Sequence, residues 1–433
     1  MSVRDQAKVH LAANQWQEAV DLLMPLWNSP QREVGDAMYL TKALRKIGRS
    51  AEGLDIAREG ARMLARGEGV GTWKPERLKP ALYGLAAWCV YDTEVRDNDA
   101  AAILERAART IRKTLEQSSG SLTDPRSPYI RAAFKAAKAI TNGGHASNAL
   151  ELLDPLSPDI LDTTRTTLPN GKESVTDRER WYLLVSRAME KEQAWDDILR
   201  LWDRAIADKT LNEWSLFFLE YRRGCALQAM GRVDEAVKVL GGLAAKKREW
   251  WVLQELAKAK WTLNRRRSAM ADAALGLLGS DLSEMTGKFV LLIGEWAAVE
   301  RQAPLASLAR RFVEGIWEAQ GWPIKADMRM QLEKLPLDNG LVSLPLNEVG
   351  KRLRASLWQE LDRVDPPLEG TVQKLIGDGK AAFLRVDGRP NVYARVPRDM
   401  NLREGMRVQF RIVASFDRKK QQVSEEAIHV RLH

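Results

Sequence analysis

The chain has 433 residues, 45% of them hydrophobic and 29% charged, with a formal net charge of +9 at pH 7. That length exceeds one ordinary domain, and the balance of apolar and charged residues excludes the disordered and fibrous classes. Only two cysteines, Cys89 and Cys225, exclude a disulfide framework, and the basic excess points to an acidic partner, with nucleic acid the leading candidate.

The start, Met1-Ser-Val-Arg-Asp-Gln-Ala-Lys8, lacks the apolar core of a signal peptide. No apolar run approaches the roughly 20 residues that cross a bilayer. The expected location is the cytoplasm, with no membrane partner.

From residue 1 to about 320 amphipathic helical segments alternate with short polar turns. One element keeps returning: a Gly or Asn turn, polar residues, a small residue, then leucines. It reads Asn14-Gln-Trp-Gln-Glu-Ala19-Val-Asp-Leu-Leu23, then Gly48-Arg-Ser-Ala-Glu-Gly53-Leu54. It returns as Gly144-His-Ala-Ser-Asn-Ala149 and Gly231-Arg-Val-Asp-Glu-Ala236, with weaker copies ending at Ile198 and Ala269. The small residue suits a close helix crossing, where a large side chain would push the backbones apart. Ala19 to Gly53 is 34 residues and Ala236 to Ala269 is 33. This spacing resembles the tetratricopeptide repeat (TPR), a 34-residue helix–turn–helix unit. Six units are read directly and two more are inferred around Ala102 and Ser307.

Two stretches interrupt the array. Gly67-Glu-Gly-Val-Gly71, followed by Pro75 and Pro80, breaks the helices after the second unit. Residues 157–177, with Pro158, Pro169 and Asn170-Gly171, form a polar insertion. All fifteen tryptophans lie at or before Trp358. Trp16, Trp195, Trp202, Trp214 and Trp261 are expected to fill hairpin interiors. Trp250 and Trp251 cannot face the same way on a helix, because neighbours differ by about 100°. One of them is a candidate for lining a partner groove. Basic runs at Lys246-Lys-Arg248 and Arg265-Arg-Arg267 are candidates for a phosphate-contacting strip along one edge of the stacked repeats.

Residues 321–367 change texture and read as a Pro-containing connector. Within it Val349, Leu353, Leu357 and Leu361 recur every four residues, which predicts a helix over 346–364 with Asn347 as its cap. Pro366-Pro367 is a stiff stop and marks a domain boundary. From Pro366 onward 13 Lys and Arg stand against 8 Asp and Glu, a net +5 in 68 residues.

Five short alternating strands are predicted in that tail: Leu368 to Val372, Lys380 to Val386, Asn391 to Val396, Met406 to Ala414 and Gln421 to Val430. In the fourth, Met406, Val408, Phe410 and Ile412 point one way and Arg407, Gln409 and Arg411 the other. Five such strands suit a small Greek-key barrel of the oligonucleotide-binding type. The fold class is therefore mostly α: a TPR-like array over 1–320, the connector over 321–367, and a five-stranded β-barrel over 368–433.

Leu402-Arg-Glu-Gly-Met-Arg-Val-Gln-Phe410, Gly370-Thr-Val372, Gly379-Lys-Ala-Ala-Phe383-Leu384 and Val392-Tyr-Ala-Arg395 together resemble the cold-shock domain. That family binds single-stranded RNA or DNA by stacking bases on strand aromatics, with basic residues on the phosphates. The resemblance implies Phe383 and Tyr393 as stacking residues, with Arg395 in place of the family's His. It implies Lys374, Lys380 and Arg385 beside them, and Arg418, Lys419 and Lys420 over the loop between the last two strands. Lys374 stands where the family has a tryptophan and Ala381 where it has a phenylalanine, so two stacking platforms are missing.

No catalytic constellation is legible. His10, His145, His429 and His433 have no metal-ligand spacing, and neither a phosphate loop nor a nucleophile elbow is present. Gly67-x-Gly-x-Gly71 follows a helical stretch rather than a strand and is a poor phosphate loop. The expected function is a non-enzymatic adaptor without cofactors. It docks a protein partner on its repeats and binds single-stranded nucleic acid, RNA ahead of DNA, on its barrel. The alternative is a pure protein scaffold or regulatory subunit, for example of a bacterial defence or stress system, whose barrel contacts another subunit.

Overall fold

The computed structural model describes residues 1–433 except 72, 119–120, 397–399, 418–419 and 433. It is mostly helical, with a five-stranded sheet at the C-terminus. By packing, the chain divides into two compact units, Met1–Arg222 and Arg223–His433.

The first unit contains α1 (Val3–Ala12), α2 (Trp16–Trp27), α3 (Val34–Lys46), α4 (Ser50–Arg66), α5 (Pro75–Val90) and α6 (Ala101–Glu116). It continues with α7 (Pro128–Asn142), α8 (Ala146–Leu153), α9 (Asp177–Lys191) and α10 (Trp195–Ala207). Each helix packs on the next, and α1, α3, α5, α7 and α9 also pack on one another in turn. That is the stacking of TPR-like helical hairpins, each repeat meeting its neighbours.

The recurring sequence element marks the start of the second helix of each hairpin. Its turn needs one residue in the left-handed region, and Asn14, Gly48, Gly144 and Gln193 supply it with φ between 57° and 90°. Gly and Asn reach this region at least cost. Ala19, Ala149 and Ile198 are all buried at the crossings. At Gly53 an added Cβ would stand 3.4 Å from both Cys89 Sγ and the Thr41 carbonyl.

The polar insertion is tethered rather than loose. A capping box joins Thr176 to Glu179, and the fully buried Glu179 carboxylate accepts from Arg165 at 2.7 Å. Among the tryptophans expected inside hairpins, Trp202 is buried, whereas Trp214 is 45% exposed and stacks on Phe217.

Helix α11 (Glu213–Ala229) spans the division. The second unit carries α12 (Val233–Lys246), α13 (Trp250–Thr262), α14 (Arg266–Leu278), α15 (Gly287–Val299) and α16 (Ala303–Gln320). Gly231, Asn264 and Arg301 repeat the left-handed turn, and Ala236, Ala269 and Ser307 are buried. Trp250 packs on Phe289, and Trp261 stacks flat on Trp296 with centroids 4.5 Å apart.

Two short helices, α17 (Ala326–Glu333) and α18 (Asn339–Val342), lead to α19 (Leu346–Val364). The stripe Val349, Leu353, Leu357 and Leu361 is fully buried, and α19 packs on α14 and α16. Its N-cap is Pro345, so Asn347 lies within the first turn instead of capping it.

The strands are β1 (Leu368–Ile376), β2 (Ala381–Arg385), β3 (Val392–Arg395), β4 (Arg407–Asp417) and β5 (Gln422–Leu432). Their order is β1-β2-β3-β5-β4, and β1 also pairs with β4, so the ladder returns on itself. All neighbours are antiparallel except β3 and β5. Val372, Leu384, Val392, Ala394, Val408, Phe410 and Ala427 fill the interior.

Packing around α12 predicts opposite outcomes for two substitutions. Ala236→Leu places a large side chain at a closed crossing and lowers stability by about 1–3 kcal/mol. Gly242 has nothing within 4 Å of an added Cβ. Gly242→Ala therefore raises stability by about 0.5–1 kcal/mol through helix propensity. Urea unfolding of the full chain, followed by circular dichroism, distinguishes the two signs.

Candidate nucleic-acid interface

Strand pairing determines which side chains share a face, because directly opposed residues project to the same side of a sheet. Lys374 lies opposite Phe383, and Phe383 opposite Tyr393. A bulge between Val372 and Lys374 brings the lysine into that row; uninterrupted pairing would have put Gln373 there. The Phe383 and Tyr393 rings meet edge to face, 6.2 Å between centroids. Phe383 is half-buried and Tyr393 is 37% exposed. The two rings thus stand together on the outer surface.

Arg385 and Arg395 are each two residues from an aromatic on the same strand, so they project to the same side. Both are exposed. Lys380 is exposed in the turn before β2, where its carbonyl accepts from Val396. Lys420 is exposed beyond β4, its amide donating to Asp417. Arg418 and Lys419 lie outside the described residues. The face therefore unites Lys374, Phe383, Tyr393, Arg385 and Arg395, while Lys380 and Lys420 sit in turns. Ala381 is buried, so no platform replaces the missing aromatic at that position.

The row has a further member that sequence reasoning missed. Glu426 of β5 stands opposite Tyr393 through the parallel pairing of β3 and β5. Its carboxylate lies 3.4 Å from Arg395 Nε and 3.2 Å from Arg248 Nη2. Arg248 also donates to the Ala414 carbonyl at 3.3 Å. The first basic run of the repeats thus meets the sheet. In the second run Arg265 pairs with Asp234 and Arg266 with Glu300, both at 2.9 Å. The runs stand at opposite ends of α13 rather than along one edge. Both border a cleft of about 480 Å³ walled by α12, α13, α14 and β4, in which Lys260 pairs with Asp272 at 2.5 Å. Burial pushes the Asp272 carboxyl up, against the pull of Lys260.

The opposite flank of the sheet is docked. A bulge between Gln409 and Arg411 breaks the expected alternation, and Phe410 and Arg411 are both buried. Arg411 pairs with Asp362 and donates to the Asp365 carbonyl at 2.9 Å. Trp358 of α19 has the Arg431 guanidinium 4.5 Å from its ring and the His429 ring edge-on at 4.6 Å. His429 Nδ1 makes no hydrogen bond among the described residues.

Among the described residues no group of three His, Cys, Asp or Glu is placed to hold a metal ion. No described helix is long and apolar enough to cross a membrane.

A family described as Domain of unknown function (DUF7017) matches residues 217–336, which span parts of α11 through α17 and stop before the sheet. No curated protein matches the chain. Among solved structures, the apo form of RapI is 12% identical, with a TM-score of 0.36, covering 83% of this chain and 97% of that one. A Rap protein complexed with competence and sporulation factor is 11% identical, with a TM-score of 0.33, covering 83% and 98%. Naa15/Naa10 bound to HypK-THB is 12% identical, with a TM-score of 0.28, covering 84% and 64%.

The docking cluster predicts an acid-side loss of stability. Burial, then Arg411, Arg431 and Arg248, push the His429 imidazole down to about 4. The unfolded imidazole titrates near 6.5, so in the interval between the two values the unfolded chain binds the additional proton. Stability therefore falls as pH drops through that interval. His429→Gln flattens the thermal midpoint between pH values of about 6.5 and 4. Identical slopes for variant and wild type would refute the assignment.

Proposed function

We propose that the protein is a non-enzymatic adaptor whose repeats dock a protein partner and whose C-terminal sheet binds single-stranded nucleic acid. The observation that carries the reading is the outward row of Lys374, Phe383 and Tyr393, flanked by exposed Arg385 and Arg395. Aromatic faces take any base, and guanidinium and ammonium groups take the phosphates. The strand order and the returning ladder support reading the sheet as an oligonucleotide-binding barrel of cold-shock type.

With two aromatics instead of four at the motif positions, stacking supplies less than in a full set. Each stacked base contributes about 1–3 kcal/mol. Binding is therefore sequence-tolerant and strongly salt-dependent. The repeats bring the docking surface of a hairpin array, and a cleft of about 480 Å³ lies beside α13 near the sheet.

One feature favours a protein-facing sheet instead: the Glu426 carboxylate stands beside Tyr393, where a phosphate backbone would be repelled. Fluorescence anisotropy of the full chain with a labelled single strand separates the readings. The adaptor reading expects binding at about 50 mM salt that weakens steeply by about 200 mM. Absence of binding at the lower salt assigns the sheet to a protein partner. Phe383→Ala combined with Tyr393→Ala lowers affinity by about tenfold or more, the equivalent of one to two stacked bases. A folded double variant with unchanged affinity removes stacking from the mechanism.

A further inference from the structure

Glu426 is the residue that links the binding face to the repeats. Register places it next to Tyr393, and its two oxygens reach different parts of the chain, one to Arg395 of β3 and one to Arg248 after α12. The side chain of Arg395 is 82% exposed while that of Glu426 is 12% exposed, so the pair is open on the arginine side. Lys246 extends the same basic run, with Nζ 6.0 Å from the centre of the Phe416 ring. A carboxylate that bridges two guanidiniums on a surface otherwise suited to phosphate occupies the position an anionic ligand group would take.

We infer that the single-strand path does not end on the sheet: it passes Tyr393, crosses Glu426 and continues onto Lys246, Lys247 and Arg248. Glu426 is the internal counter-ion of this path, holding Arg395 and Arg248 in place until a phosphate takes over. The inference rests on the single-strand reading proposed above and specifies its ligand: a strand longer than the sheet face alone accommodates.

The assignment predicts opposite effects for the two halves of the bridge. Neutralising Glu426 removes a repulsive charge from the path, whereas removing the basic run removes phosphate contacts. Single strands lose a slope of about 0.7 in log affinity against log salt for each phosphate contact removed. The experiment uses the full chain and labelled homopolymers of about 4 nucleotides, the lower end of what one such fold covers, and about 20, beyond its upper end. Lys246→Ala with Lys247→Ala and Arg248→Ala is expected to lower the slope for the longer strand by about 2 and leave the shorter strand nearly unaffected. Lys246→Ala with Lys247→Ala alone keeps the Arg248–Glu426 pair and lowers it by about 1.4, which guards against misfolding of the triple variant. Glu426→Gln is expected to tighten binding of the longer strand about threefold or more, by relief of like-charge repulsion.

If wild type binds and the Phe383/Tyr393 variant weakens binding, but the basic-run variants keep the full slope, the extended path is overturned and the sheet site stands. Weaker binding by a folded Glu426→Gln variant overturns the counter-ion role. If wild type binds neither strand, the single-strand reading falls and takes the extended path with it.

Discussion

The buried guanidinium of Arg411 fixes where the sheet can work. An arginine at 2% exposure is costly unless it is paired, and here Nη2 pairs with Asp362 while Nε donates to the Asp365 carbonyl and lies 3.8 Å from the Asp365 carboxylate. These acceptors stand at the C-terminal end of α19, where the helix dipole also favours a cation. Trp358 one turn earlier adds its ring to Arg431 and His429. Strand β4 is thereby tied to α19, and α19 to α14 and α16 through its leucine stripe. Phe383 and Arg385 of β2 and Tyr393 and Arg395 of β3 stay on the outer face, with the Glu426 edge beside the α12–α13 loop.

The helical part follows a simpler rule. A hairpin of two helices needs a turn with one left-handed residue and a small side chain where the backbones cross. Asn and Gly recur at the first position and Ala at the second for those reasons, and the same pattern recurs in both units. Exceptions show that tertiary packing tolerates departures. Gln193 and Arg301 adopt φ of 57° and 59° without being glycine, and Ile198 is buried at a position suited to alanine.

Half of the candidate face was legible through the resemblance of the strand motifs to the cold-shock domain. The resemblance implies Phe383 and Tyr393 from their motif positions, and the period of two then puts Arg385 and Arg395 on the same side. The register between strands is not local information. Lys374 joins the row only because β1 carries a bulge, and Glu426 stands beside Tyr393 only because β5 runs parallel to β3 from 33 residues further on. Nothing near Glu426 in the chain signals that its charge will meet Arg395, still less Arg248.

Arg411 shows the same limit from the opposite side. Alternation placed it with Arg407 and Gln409 on a polar face, and a bulge together with α19 turned that position into the most buried charge of the sheet. The sequence by itself determined the helical repeats, the terminal helix and the five strands, because each depends on a short period of apolar residues and on turn chemistry. Tertiary structure decided which charges are paired, buried or displayed. Those outcomes depend on register and docking, which bring together residues tens to hundreds of positions apart.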